Sequence, residues 1–214
     1  MKPLIKVENL TKRYGSTVIL EGISFQLMPE EALVIMGPSG VGKSTLLSIL
    51  AGIEPCDSGE IYYDDAVYEN AAVPLPVIFQ GTETLLPWKT VREHLLLVAP
   101  HMAAAEVTAI LERVELGAHG NKKPPELSGG MKQRLAFARA LACRSKVILM
   151  DEPFTGLDET LKASLYDLLK AVQKERQLSI VLVTHDTREA QELGTRVLEL
   201  KSSGELTVKA LSEI

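Results

Sequence analysis

The sequence predicts an α/β fold: a core with a mainly parallel sheet, an N-terminal antiparallel β subdomain and an inserted all-helical lobe. Three observations point there. Short apolar runs separated by Gly and Pro fill the first third, helical periodicity runs from about Gly81 to Cys143, and strands alternate with helices from Val147 to Leu200. Tight turns join antiparallel neighbours, whereas strand–helix–strand alternation requires parallel strands with right-handed crossovers.

The opening reads as strands Leu4–Val7, Val18–Leu20, Ile23–Leu27 and Ala32–Met36, punctuated by Gly15, Gly22 and Pro29 as hairpin-like connections require. A helix is expected from about Gly42 to Ala51 with Gly52 as its C-cap. Ile61–Tyr63 and Val77–Phe79 read as further strands. Helical character starts at Val91–Ala99, continues where Val107, Ile110, Leu111 and Val114 share one face, and returns from Ser128 to Ala142. Next come strand Val147–Met150, helix Glu159–Glu175, strand Ile180–Val183, helix Asp186–Leu193 and strand Val197–Leu200. Leu161, Leu165, Leu168, Leu169 and Val172 form a stripe expected to lie on the sheet. Residues 1–80 and 144–214 are thus expected to form the α/β core of one domain, with 81–143 as the inserted lobe.

Composition narrows the function classes. The 214 residues carry 46% hydrophobic and 24% charged side chains and a net charge of −5. These are values of a soluble globular chain without a dense basic footprint for nucleic acid. No apolar run approaches the roughly 18 residues needed to cross a bilayer, and no signal peptide is expected. Cys56 and Cys143 have no metal-ligand spacing and read as reduced packing residues.

Between an apolar strand and a helix stands Gly37, Pro38, Ser39, Gly40, Val41, Gly42, Lys43, Ser44, the G-x-x-x-x-G-K-[ST] pattern of a P-loop nucleoside triphosphatase. Phosphates need donors that approach closely, and three glycines let successive N–H groups turn inward while the helix dipole adds positive potential. Lys43 is expected on the β- and γ-phosphates, the Ser44 hydroxyl on Mg²⁺, and Thr45 near the α-phosphate. A glycine turn that merely starts a helix gives no reason for the Lys-Ser pair.

A second constellation closes the strand Val147–Met150 with Asp151 and Glu152. Neighbouring side chains on a strand point to opposite sides, so the two carboxylates suit different tasks. Asp151 is expected to hold Mg²⁺ through its water shell. Glu152 is expected to polarise the water that attacks the γ-phosphate, a role typically worth about 10²–10⁴-fold in rate. His185 follows the apolar run Ile180–Thr184 and should emerge at the same sheet edge, near the γ-phosphate.

With Leu127, Ser128, Gly129, Gly130 and Met131 the chain resembles the ATP-binding cassette (ABC) ATPases, these residues standing at the family's signature sequence. The resemblance covers nearly the whole chain in order: Tyr14, the phosphate loop, Gln80, the signature, Asp151-Glu152, Asp158 and His185. Ser128 is an N-cap type, and the glycines expose backbone N–H groups at a helix start, which makes a second anion site. The resemblance implies that two subunits pair head to tail, so that Leu127–Met131 and Asp158 of one copy close in trans on ATP held by the other. Met131 stands where many relatives carry Gln. It further implies that Tyr14 stacks on adenine, as bases stack on aromatic rings, and that Gln80 reaches Mg²⁺ and the attacking water. Asp158 also suits an N-cap of the helix that comes after it, and the two roles can coexist.

Leu85-Leu86-Pro87-Trp88 with Thr90-Val91 is similar to ATPases of nitrate, sulfonate and taurine importers, although Phe154-Thr-Gly-Leu-Asp158 departs from their usual Phe-Gly-Ala-Leu-Asp. The implied protein is the ATP-hydrolysing subunit of an importer. It would work as a homodimer with Mg²⁺ and ATP, peripheral on the cytoplasmic face of the membrane, with permease subunits docking near Gly81–Val91 and an extracytoplasmic solute-binding protein outside. Trp88 fits a partner-facing patch or internal packing. The alternatives are an ATPase of an exporter or of a membrane mechanotransducer. A soluble ABC protein acting on nucleic acid or ribosomes fits a single acidic cassette poorly.

Overall fold

The computed structural model describes residues 2–67, 75–81 and 83–214. Two compact units divide the chain, one comprising Met1–Val77, Ser145–Glu152 and Val172–Ile214, the other Ile78–Arg144 and Pro153–Ala171. The sequence alone keeps 144–214 together; by contact, Pro153–Ala171 groups with the helical stretch.

The first unit holds two sheets. Strands β1 (Ile5–Tyr14), β2 (Thr17–Leu27) and β4 (Ser58–Tyr63) form an antiparallel sheet in the order β2-β1-β4. Where two strands and a turn are expected over 18–27, β2 is continuous. Leu10 pairs with Ile23 and Lys12 with Leu20, so the extra residue is a bulge. Gly22, at φ 61°, sits in it, and Thr11 Oγ1 accepts from its N–H at 3.1 Å. Glycine here bends a strand instead of ending it.

The second sheet runs β5-β6-β7-β3-β8-β9, with β3 (Ala32–Met36), β5 (Val77–Ile78), β6 (Val147–Asp151), β7 (Ser179–Val183), β8 (Arg196–Leu200) and β9 (Leu206–Lys209). β6, β7, β3 and β8 are parallel, as near-continuous apolar runs buried on both faces predict. The antiparallel edge strand β9 is not anticipated, because Leu206–Lys209 alternates too briefly to read as a strand. Register decides where the strands end. Asp151 pairs with Val183, Val183 with Ile35, and Met36 with Glu199, so β6, β7, β3 and β8 end level with one another. One apolar cluster, including Leu10, Leu20, Leu33, Leu46, Leu50, Leu149, Val181 and Leu198, joins both sheets to α1 (Lys43–Leu50). Gly52, at φ 75°, closes α1 as expected, with Ile53 N–H donating to Ser48 O at 2.9 Å.

The second unit packs α2 (Val91–Val98), α3 (Ala104–Arg113), α4 (Gly129–Ala142) and the first turns of α5 (Glu159–Arg176). Thr90 and Glu93 form a capping box on α2. Val107, Ile110, Leu111 and Val114 are buried as their spacing predicts. The stripe on α5 is only partly as expected. Leu165, Leu169 and Val172 are buried, while Leu161 and Leu168 are half-exposed, and Leu161 lies against the start of α4. Phe154, fully buried, stacks edge-on to Tyr166 at 4.8 Å and sits 5.9 Å from Phe137. Among the described residues no helix is long and apolar enough to cross a membrane.

Candidate functional site

The phosphate loop leaves β3 at Gly37 and enters α1 at Lys43. Gly37 has φ 150°, and a β-carbon there would lie 2.4 Å from Leu200 O; Gly42 has φ 109°, and one there would lie 2.6 Å from Ile19. Only glycine allows the loop to pass this close to β8 and β2. Gly42 caps α1 without any side-chain bond, so the N–H groups of the first turn stay directed along the helix axis, where its dipole attracts anions. Lys43 is 6% exposed, and its ammonium donates to Gly37 O at 2.9 Å and Pro38 O at 2.8 Å. It spans the loop it belongs to. Pro38, Ser39 and Gly40 are exposed, and Val41 is half-buried.

Level strand ends bring the carboxylates to the same edge. Asp151 ends β6, and burial raises its pKa; the nearby Ser44 hydroxyl and Lys43 pull the other way, while neighbouring Glu152 adds repulsion. Glu152 comes next, outside the strand, at φ 45°. Strand alternation therefore does not separate the two carboxylates as expected; a left-handed backbone does. Such a conformation is costly for a side-chain-bearing residue and concentrates at functional sites. It is held by Glu152 N–H donating to Val183 O at 2.9 Å. The Glu152 carboxylate then meets His185 Nδ1 at 3.2 Å, with His185 exposed.

Behind His185 stands a support that the motifs do not reveal. Thr184, buried, donates to Glu189 Oε2 at 2.5 Å and accepts from Asp186 N–H at 3.0 Å, and Asp186 caps α6 (Thr187–Leu193). Thr-His-Asp before a helix is the available signal. Tyr14 has a similar support. Its hydroxyl donates to Glu54 at 2.6 Å, and Lys12 lies 5.3 Å from its ring centre and 2.9 Å from Glu54. The Tyr14 hydroxyl, then Lys12, hold Glu54 below the ordinary carboxylate range. The ring is thus tied to Glu54, just past the end of α1. Nothing in the spacing of Lys12, Tyr14 and Glu54 announces this.

The second unit carries the remaining predicted residues. Ser128 caps α4, accepting from Met131 N–H at 3.3 Å, and Leu127 before it is buried. A β-carbon at Gly129 would meet nothing within 4 Å, while one at Gly130 would lie 2.7 Å from Leu161. That neighbour is the tip of a half-exposed side chain, which has room to swing aside. Asp158 Oδ1 accepts from Leu161 N–H at 2.9 Å, the cap anticipated for α5. Gln133, buried and outside every motif, donates to Pro153 O at 2.5 Å and so fixes the segment after Glu152. Gln80 is exposed beyond β5. Trp88 is 65% exposed, and Thr82 in the segment leading to it lies outside the described residues.

The family model described as "ABC transporter" matches residues 20–155. The nitrate transport protein NasD of Klebsiella oxytoca is 37% identical over 100% of this chain and 86% of its own length. An aliphatic sulfonates import ATP-binding protein of Xanthomonas axonopodis is 36% identical over 92% and 67%. A solved dimeric post-hydrolysis structure of the cassette MJ0796, bound to ADP and Pi, superposes with a TM-score of 0.81 at 31% identity, covering 97% of this chain and 98% of that one. With its phosphate loop, level carboxylates and glycine-started helix, the chain belongs to the ABC transporter family as an ATP-hydrolysing cassette.

Proposed function

We propose that this cassette energises import of a small solute of the nitrate, sulfonate or taurine kind through separate membrane subunits. The observation that carries the chemistry is that β3, β6 and β7 end level, so that the loop of Lys43, Asp151 with Ser44 near it, and the Glu152–His185 pair leave one sheet edge. Gly37–Thr45 would bind the phosphates and Tyr14 the adenine. Lys43 would release its loop carbonyls for the β- and γ-phosphates. Glu152, held by its backbone and steadied by His185, would accept a proton from the attacking water.

The residues fit Mg²⁺. A carboxylate buried enough to resist ionisation, with a hydroxyl near it, is a site that a hard cation stabilises. Ser44, Asp151 and Gln80 are the proposed holders, and the metal would neutralise charge on the phosphate oxygens.

A second copy completes each site in our reading, its Leu127–Met131 turn and Asp158 closing on the nucleotide. Permease subunits dock near Gly81–Val91, an extracytoplasmic protein delivers solute, and the homodimer sits on the cytoplasmic face; no nucleic acid is involved. The nitrate- and sulfonate-transport relatives and the dimeric cassette support this reading. The test is Glu152→Gln. Turnover should fall about 10²–10⁴-fold while ATP binding persists, and sizing chromatography with ATP should reveal a trapped dimer. A monomer with undiminished turnover would overturn both the base and the pairing.

A further inference from the structure

Trp88 is the chain's single tryptophan. It stands on the turn Leu86–Lys89, which closes on itself through Lys89 N–H to Leu86 O at 3.1 Å, and Leu85 before it is buried. One turn bond does little to hold an indole 65% exposed in a fixed direction. Two side chains from the helices do more. At the foot of the turn, Arg139 of α4 donates to Thr84 O at 3.0 Å. At its first residue, His94 of α2, with 0% exposure, accepts from Leu86 N–H on Nε2 at 3.0 Å and has Nδ1 2.7 Å from Thr90 O. An amide N–H can only donate and a carbonyl can only accept. The imidazole must therefore carry its proton on Nδ1 and keep the Nε2 lone pair free. Only this neutral tautomer satisfies both partners.

We infer that His94, in its neutral Nδ1–H form, is a positioning residue that latches the Leu86–Lys89 turn and holds Trp88 outward for the membrane partner. The purpose rests on the docking reading of Gly81–Val91; the latch itself does not. Protonation would place a second N–H against that of Leu86, and the turn would have to release. Burial holds His94 below the ordinary imidazole range. Of the charged groups facing it, Arg139 from α4 and Lys89 from the turn act in the same direction, while Glu93 on α2 opposes them.

Because Trp88 is the sole indole, its fluorescence reports the turn in the full chain. Emission and acrylamide quenching are followed from about pH 7.5 to 5, with circular dichroism confirming that the fold persists. The latch predicts a Trp88 transition with its midpoint below about 6.5, the ordinary imidazole value. His94→Gln keeps an acceptor within reach of Leu86 N–H, so it should show wild-type emission at neutral pH and lose the transition. His94→Leu should show the acid-type emission at every pH. Wild-type emission that ignores pH, or a Gln variant that behaves like Leu, overturns the latch, and neither outcome depends on the Leu variant folding. Docking is read separately, by whether Trp88→Ala still co-purifies with membrane subunits. A pH-sensitive turn whose removal leaves co-purification intact supports the latch and overturns its purpose.

Discussion

The loop ending at Lys43 and the turn beginning at Ser128 each present backbone N–H groups at a helix start, yet they are built by opposite means. The first is shaped by close approach at glycines: Gly37 passes against Leu200 O, Gly42 against the Ile19 side chain of β2, and no side chain caps α1. The second unit is shaped by side chains: Ser128 and Asp158 cap helices, Gln133 reaches Pro153 O, and His94 and Arg139 pin the turn before α2. Where backbone contacts make a site, adding one carbon ruins it. Where side chains make it, deletion or a change of protonation does the damage.

Gly37→Ala should break the first region hardest. Its β-carbon would sit 2.4 Å from a carbonyl oxygen, at φ 150°, and neither β3 nor β8 can yield without moving the sheet. The expected loss is on the order of 3 kcal/mol, read by denaturant unfolding, together with loss of ATP binding. An alanine variant that unfolds with the wild type would show that the close approach is not structural.

The contrast also explains how much of the molecule is legible in its sequence. Gly37, Lys43, Ser44 and Asp151 announce themselves because backbone-built sites need fixed residue types at fixed spacing, and parallel apolar strands leave little freedom in where they end. Glu152 is found for an incomplete reason, since its direction comes from a left-handed φ that no alternation rule supplies. Glu54 under Tyr14 and His94 under Leu86 are illegible, and Glu189 behind Thr184 is hinted at only by the capping pattern. Each is an ordinary polar residue whose partner is chosen by tertiary packing. β9 and the bulge at Gly22 escape because both depend on strand pairing, which local patterns do not contain.

Acid should separate the two regions more gently. His94 has a folded pKa below its unfolded value, so between the two the unfolded chain binds the extra proton. Its contribution to stability is therefore complete above about pH 6.5 and is lost as pH falls toward the folded value. His94→Gln carries no such linkage. Melting midpoints should fall more steeply for the wild type than for the variant as the pH is taken from neutral to mildly acid. Parallel pH dependence would remove His94 from the account.

The smallest effect on folding, and the sharpest on function, is expected at Gly129. A β-carbon at its neighbour Gly130 would touch the tip of the Leu161 side chain, but one at Gly129 meets nothing within 4 Å, and its φ is not among the positive values. Gly129→Ala should therefore fold with wild-type stability, within about 0.5 kcal/mol. If the Ser128 turn serves only to start α4, the variant should also hydrolyse ATP normally. If a triphosphate on a second copy must approach that turn, the added methyl obstructs the approach. Turnover then falls and the ATP-dependent dimer weakens, although ATP binding to the single chain is unchanged. The pair of readings, intact melting with impaired dimerisation, separates a packing glycine from a ligand-facing one without disturbing the phosphate loop.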